Sequence, residues 1–239
     1  MEEQRIALVT GGNKGIGLEI ARQLAMVGVH AVIGARDDSR ASTAVDDLSR
    51  QGLKVSSVHI DLEDLATVAD AASQVRSRHG RLDILVNNAG IFRFSDAPPS
   101  RASIDAVRQV MEVNFIGALA VTQAMLPLLK EAPSARIVNV SSSLGSLALN
   151  GDPASAYYAQ QFIGYNASKA ALNMLTIQLN EELRETGIIV NSVSPGFVKT
   201  DLTGYGNMTP EEGARLPVRH ALEGAESGSF FEPDGRTPW

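Results

Sequence analysis

Along this chain, short runs of β-branched and aliphatic residues alternate with longer stretches in which apolar positions recur every three or four residues. The short runs suit strands buried on both faces, and the longer ones suit helices laid against a sheet. Regular alternation of the two is the pattern of a parallel sheet wound with helices. Strands are predicted at residues 6–10, 31–35, 55–61, 82–87, 137–141 and 188–194, with a last short one at 228–231. Helices are predicted at 15–27, 40–51, 65–79 and 166–186, together with a long helical region over 104–129 that Pro127 bends or ends. After Pro195 the pattern loosens into polar and Gly/Pro-rich segments. No internal repeat or disordered linker interrupts the chain.

Composition narrows this picture. A chain of 239 residues, 44% of them hydrophobic, suits one large α/β domain. A net charge of −6 and the lack of any Lys/Arg block argue against a nucleic-acid surface. Cysteine is absent, which excludes disulfides, thiolate catalysis and cysteine-based metal sites, and fits a reducing cytoplasm. The four histidines, His30, His59, His79 and His220, lie far apart without metal-ligand spacing, so no metal is expected. Neither an apolar signal region nor a membrane-length run is read, so no membrane is expected.

Two local patterns carry chemistry. Glycines 11, 15 and 17 fall between the first strand and first helix, where they allow a tight turn and close approach of a pyrophosphate to the helix N-terminus. Their spacing differs from the usual dinucleotide fingerprint, and a plain Gly-rich turn reads the same when taken alone. Tyr165 and Lys169, four apart on a helix, face the same side. A tyrosine of pKa about 10 is a poor acid–base group at neutral pH, and a nearby cation lowers that value. Ser142 follows directly after a predicted strand, at the end where open α/β sheets bind ligands. The chain contains no G-x-S-x-G elbow for a nucleophilic serine. At the end of the second strand stand Arg36 and Arg40, with Lys14 in the Gly-rich turn. Three cations there suit a ribose 2′-phosphate, and Asp37 and Asp38 partly offset them.

Taken together, Thr10-Gly11-x-x-x-Gly15-x-Gly17, Asn87-Asn88-Ala89-Gly90, Asn114, Ser142 and Tyr165-x-x-x-Lys169 resemble the short-chain dehydrogenase/reductase family over essentially the whole chain. Within it, the turn from Thr10 to Gly17, the segment 34–40 and the Pro-Glu-Glu-Gly-Ala stretch from Pro210 are similar to the carbonyl reductase branch. The resemblance implies a single-domain Rossmann fold, a doubly wound parallel sheet of about seven strands in the order 3-2-1-4-5-6-7. It implies NADP(H) as cofactor, held by Gly11, Asn13, Lys14, Gly15, Ile16, Gly17, Arg36 and Arg40. Asp61 and Leu62 would meet the adenine, and Asn88, Ala89 and Gly90 the adenine ribose side, although Asn88 reads equally as a structural cross-strand hydrogen bonder. Tyr165 and Lys169 would lie at the nicotinamide ribose. Pro195, Gly196, Val198 and Thr200 would meet the carboxamide and phosphates.

The catalytic set implied is Asn114, Ser142, Tyr165 and Lys169. Ser142 would hold the carbonyl oxygen, Tyr165 would give it a proton, Lys169 would lower the tyrosine pKa, and Asn114 would act through water. The expected reaction is reduction of a ketone, aldehyde or quinone; an idle NADP(H) sensor and alcohol oxidation are the alternatives. Twenty-two residues separate Ser142 from Tyr165, a longer spacing than in most family members. This insert, about 147–164, carries Tyr157, Tyr158 and Phe162, which floor a substrate pocket or pack the insert down. Phe92, Phe94, Leu144, Phe197, Tyr205 and Met208 are further pocket candidates, with 201–217 as a substrate loop. An insert folded over the last long helix would mask the pairing surface usual in the family, so a monomer is expected over a dimer or tetramer.

Overall fold

The computed structural model describes residues 4–239. Eight strands form one sheet in the order β3-β2-β1-β4-β5-β6-β7-β8. The strands are β1 Ile6–Thr10, β2 His30–Ala35, β3 Val55–His59, β4 Ile84–Asn87, β5 Arg136–Val140, β6 Ile189–Val193, β7 Ser229–Glu232 and β8 Gly235–Arg236. The first seven run parallel, while β8 turns back antiparallel on β7 and was not foreseen from the sequence. The order reverses between β1 and β4, so the crevice beyond their carboxyl ends is the place for a ligand.

Helices cover both faces, which is why strands such as β1 are apolar at every position. On one face lie α1 Gly15–Met26, α2 Asp38–Arg50 and α8 Pro210–Leu222, with Ile20, Leu24, Leu48 and Leu216 packed on Val9, Ile33 and Val138. On the other lie α3 Leu65–His79, α4 Ile104–Met111, α5 Ala118–Leu129 and α7 Ile163–Glu182, whose Val75, Met125, Leu128 and Leu172 meet Leu8, Leu85 and Ile137. Each such side chain, taken from water into the core, contributes about 1.5–3 kcal/mol.

Three local departures from the sequence reading have physical causes. Between α4 and α5 the helix continues but widens to a π-turn over Glu112–Gly117; Pro127 is accommodated in the last turn of α5. Helix α8 was not legible as apolar periodicity because Gly213 and Pro217 interrupt it, yet a cap marks its start. Thr209 and Glu212 form a reciprocal capping box, and Pro210 stands at the first helical position. The short helix α6, Leu147–Gly151, sits inside the insert.

One expectation is corrected. A run of membrane-spanning length does exist: Ile104–Leu129 has 26 residues and a mean hydropathy of 1.4 over its most apolar window, half of that window being buried in the protein. Val110, Val121, Met125 and Leu129 on that run belong to the core.

Candidate active site

The Gly-rich turn joins β1 to α1. Gly11 (φ 64°) and Gly15 (φ 56°) adopt left-handed backbone, which a side chain would strain. Gly17 lies inside the helix for a different reason, since a Cβ there would collide with the Gly11 carbonyl oxygen and the Asn88 side-chain amide. The N-cap residue Lys14 supplies no side-chain acceptor, so no capping side chain claims the first-turn amides of α1. Such amides are natural anion donors. Asn13 lies in the turn, and Ile16 packs partly buried against the core below α1. Across the crevice, the amides of Asn88 and Ala89 both donate to Thr10 Oγ1 at 3.1 Å, and Asn88 Nδ2 donates to the Thr10 carbonyl at 2.9 Å. The side chain of Asn88 is thus committed to holding the β4 end against the turn.

The three cations at this end each meet a carboxylate: Lys14–Asp201 at 3.1 Å, Arg36–Glu63 at 3.2 Å and Arg40–Asp37 at 3.2 Å. All six side chains are exposed, and exposed pairs contribute roughly 0–1 kcal/mol, so each cation is only weakly held by its partner. Asp37 also caps α2 by accepting from the Arg40 amide, and Asp38 contacts His59. Asp61 is held by its own turn, accepting from the Glu63 amide at 3.0 Å. The Leu62 side chain is spent on packing, pressed against Gly117 closely enough that a Cβ there would not fit.

At the other end of the crevice, Tyr165 and Lys169 share one face of α7, with Nζ 5.7 Å from the centre of the phenol ring. Lys169 is buried and donates to the Val140 carbonyl at the end of β5 (2.8 Å). Of Ser141, Ser142 and Ser143, Ser142 is the one near enough to the Tyr165 phenol to draw its pKa down, and its Oγ accepts from the Leu144 amide at 3.2 Å. Ser141 turns inward to the Lys169 carbonyl, and Ser143 to Ser194 and Glu232. Gly145 lets this segment touch α7, since a Cβ there would lie 2.7 Å from Lys169 Cβ. Asn114 sits in the π-turn, where it accepts from the Ile91 amide (2.7 Å) and donates to the Ile91 carbonyl and Ser168 Oγ (3.0 Å each). Gly90 faces both Asn114 and Lys169 Nζ.

Electrostatics alter one expectation. Burial pushes the Tyr165 phenol up to about 12, with the Ser142 hydrogen bond drawing it partly back. Burial also lowers the Lys169 ammonium to about 8. The protein by itself therefore does not show the predicted depression of the phenol by Lys169. The ammonium is aimed at the Val140 carbonyl rather than the phenol oxygen, and desolvation outweighs its attraction.

These shifts act on stability with opposite signs. Between about pH 8 and the ordinary lysine value of 10.5, the unfolded chain carries a proton at residue 169 that the folded protein has lost, so stability rises with pH. Above the ordinary tyrosine value of 10.0 the folded protein keeps a phenol proton that the unfolded chain gives up, and stability falls. Denaturant midpoints from pH 7 to 10 should therefore show wild type gaining on Lys169→Met by up to about 2–3 kcal/mol. A difference that stays flat with pH would contradict the buried-ammonium account.

The far wall follows β6. Gly196 (φ 90°) turns beneath Met208, Val198 is buried and bridged to Met208, and Thr200 lies against Gly15. Pro195 is buried at the start of this segment. Phe92 stacks edge-on against Tyr165, Phe94 and Phe162, while Phe94, Phe197 and Tyr205 are 77%, 60% and 69% exposed. Within the insert the Tyr157 hydroxyl donates to Glu232 and Phe162 packs on Phe92, while Tyr158 and Phe162 line an open cavity of about 360 Å³ with Leu144, Leu147 and Ile163. Among the described residues no cluster of His, Asp or Glu has the makings of a metal site. Glu232 and Asp96 went unnoticed in the sequence; their partners lie far away along the chain, so no local pattern marks them.

The sequence profile of the family described as short chain dehydrogenase matches residues 5–210. A short-chain dehydrogenase of Penicillium roqueforti is 38% identical, with 94% of this chain and 91% of that protein aligned. The crystal structure of NADPH-bound carbonyl reductase from chicken fatty liver superposes with a TM-score of 0.86 at 32% identity, covering 99% of this chain and 100% of that one. Salutaridine reductase from Papaver somniferum superposes at 0.83 with 32% identity, covering 95% and 99%. A parallel sheet reversing between β1 and β4, a glycine turn that excludes side chains and a serine–tyrosine–lysine end agree with these likenesses. This chain belongs to the short-chain dehydrogenase family and resembles its carbonyl reductase branch.

Proposed function

We propose that the protein reduces a ketone, aldehyde or quinone carbonyl with NADPH, residues 1–239 acting as one NADP(H)-binding domain. The observation that carries this reading is the Tyr165 phenol beside Ser142, with buried Lys169 Nζ 5.7 Å from its ring centre, at the same sheet end as the Gly-rich turn. When bound, the cofactor supplies the hydride. The Ser142 hydroxyl orients the carbonyl oxygen and donates to it as negative charge develops. A phenol that keeps its proton well above neutral pH suits the donor role in reduction, so Tyr165 passes its proton to that oxygen. Lys169, buried on the same face of α7, would hold the nicotinamide ribose. Asn114 fixes the backbone of Ile91 behind them. Phe94, Phe197 and Tyr205 are largely exposed aromatics on the loops after β4 and β6 and could meet an apolar part of such a substrate.

The test is a panel of ketones, aldehydes and quinones followed by NADPH absorbance. Saturable consumption with any of them supports the reading; tight NADPH binding without consumption would instead favour a cofactor sensor.

NADPH should be preferred to NADH because Lys14 stands in the Gly-rich turn, Arg36 and Arg40 follow the end of β2, and no acid closes β2. Each charge-assisted contact is worth about 1.5–3 kcal/mol, so Arg36→Ala should weaken NADPH about tenfold or more and leave NADH nearly unchanged. Fluorescence titration of both cofactors measures this, and equal losses for the two would remove the phosphate from the argument.

A further inference from the structure

Helix α7 carries Tyr165 three residues into its first turn, yet its N-cap residue is Phe162, which has no side-chain acceptor. The amides of Gly164 and Tyr165 therefore need partners from elsewhere. They find them in Asp96, 69 residues earlier than Tyr165 and 5% exposed. Asp96 Oδ2 accepts from the Tyr165 amide at 2.7 Å, and Oδ1 accepts from the amides of Gly164 and Ala97 at 3.0 Å each. The Ala97 carbonyl takes the Ile163 amide at 3.2 Å, so the whole first turn is met by one loop.

We infer that Asp96 is a positioning residue for the catalytic tyrosine, an inference that rests on the reaction proposed above. Its carboxylate grips Tyr165 at the backbone nitrogen. The Tyr165 carbonyl is gripped in turn by Ser168 Oγ at 2.8 Å, which accepts from Asn114. Tyr165 is thus pinned on both sides of its own Cα. A negative group at a helix N-terminus also complements the helix dipole. Gly164 is the residue that makes room: a Cβ there would lie 3.1 Å from Asp96 Oδ2 and 3.1 Å from Val107 Cα. The loop that delivers Asp96 also carries Phe92, whose ring meets the Tyr165 ring at 5.6 Å. Asp96 therefore sets the position of the proton donor and of its aromatic neighbour together.

Asp96→Asn keeps the shape but allows only one oxygen to accept, and Asp96→Ala removes both acceptors. A misplaced donor costs up to about 10²-fold. The expected fall in kcat per NADPH-binding site is therefore about 10-fold for Asn and nearer 100-fold for Ala. NADPH affinity should stay within about twofold, because the phosphate site is remote. With NADPH deuterated at the transferred position, the isotope effect on kcat should rise as chemistry becomes limiting, which a loss of folded protein would not produce. Amide exchange at Gly164 and Tyr165 should accelerate in both variants. If Asp96→Ala does not fold, Asp96→Asn carries the comparison alone. Unchanged kcat per site, or unchanged exchange at these two amides, would overturn the assignment. Should wild type reduce no carbonyl, the proposed reaction falls, and the exchange rates alone decide what Asp96 does.

Discussion

Tyr165→Phe is expected to lower turnover in carbonyl reduction by at least about 10²-fold, the lower scale for losing a general acid. The substitution keeps the ring, so the edge-on contact with Phe92 and the packing of α7 survive. It removes only the hydroxyl with its transferable proton and the influence of Ser142 on it. Folding should change little, because the ring packing is kept and no hydrogen bond from the phenol hydroxyl ties distant elements together. NADPH affinity should likewise hold within a few fold, since Lys14, Arg36 and Arg40 lie at the other end of the crevice. Steady-state kinetics beside a cofactor titration separate these quantities. Near-normal turnover in the phenylalanine variant would mean that the proton comes from another group, and Ser142 would be the next to replace.

Gly17→Ala is the second substitution expected to have a large effect, and here two opposing magnitudes decide the outcome. Inside a helix, alanine is favoured over glycine by up to about 1 kcal/mol. At position 17 the added methyl would strike the backbone carbonyl oxygen of Gly11 and the side-chain amide of Asn88, which is tied to the Thr10 carbonyl. Overpacking typically costs about 1–3 kcal/mol, and here it also displaces the turn and the Asn88–Thr10 bond. The clash wins. We expect a lower thermal midpoint and NADPH binding weakened by at least about tenfold. Gly151→Ala is the control, since no atom lies within 4 Å of its added Cβ. Equal tolerance of both substitutions, read by calorimetry and cofactor titration, would show that the turn has room the structure denies.

The order of elements was legible in the sequence because strands buried on both faces must be apolar throughout, and helices against a sheet must be apolar every third or fourth residue. That is why the order of β1 to β7 and the positions of five helical segments, one of which divides into α4 and α5, follow from pattern and resemblance. The Gly-rich turn and the Tyr165–Lys169 pair were legible for the same kind of reason, their chemistry being local: a turn and one helical step.

What only the tertiary structure decided is non-local. Helix α8 is announced by its capping box at Thr209 and Glu212, but its burial comes from packing on α1, not from periodicity. The direction of the Tyr165 and Lys169 shifts depends on burial and on where the ammonium points, and four-residue spacing carries no information about either. Which of three adjacent serines faces the phenol depends on how the strand end turns against α7. Asp96 is the clearest case: one aspartate in a loop becomes the cap of the catalytic helix only when β4 and α7 are brought together by the sheet. Local spacing can specify the residues of a site; their charge states and anchoring arise from desolvation and contacts that exist only once the chain has folded.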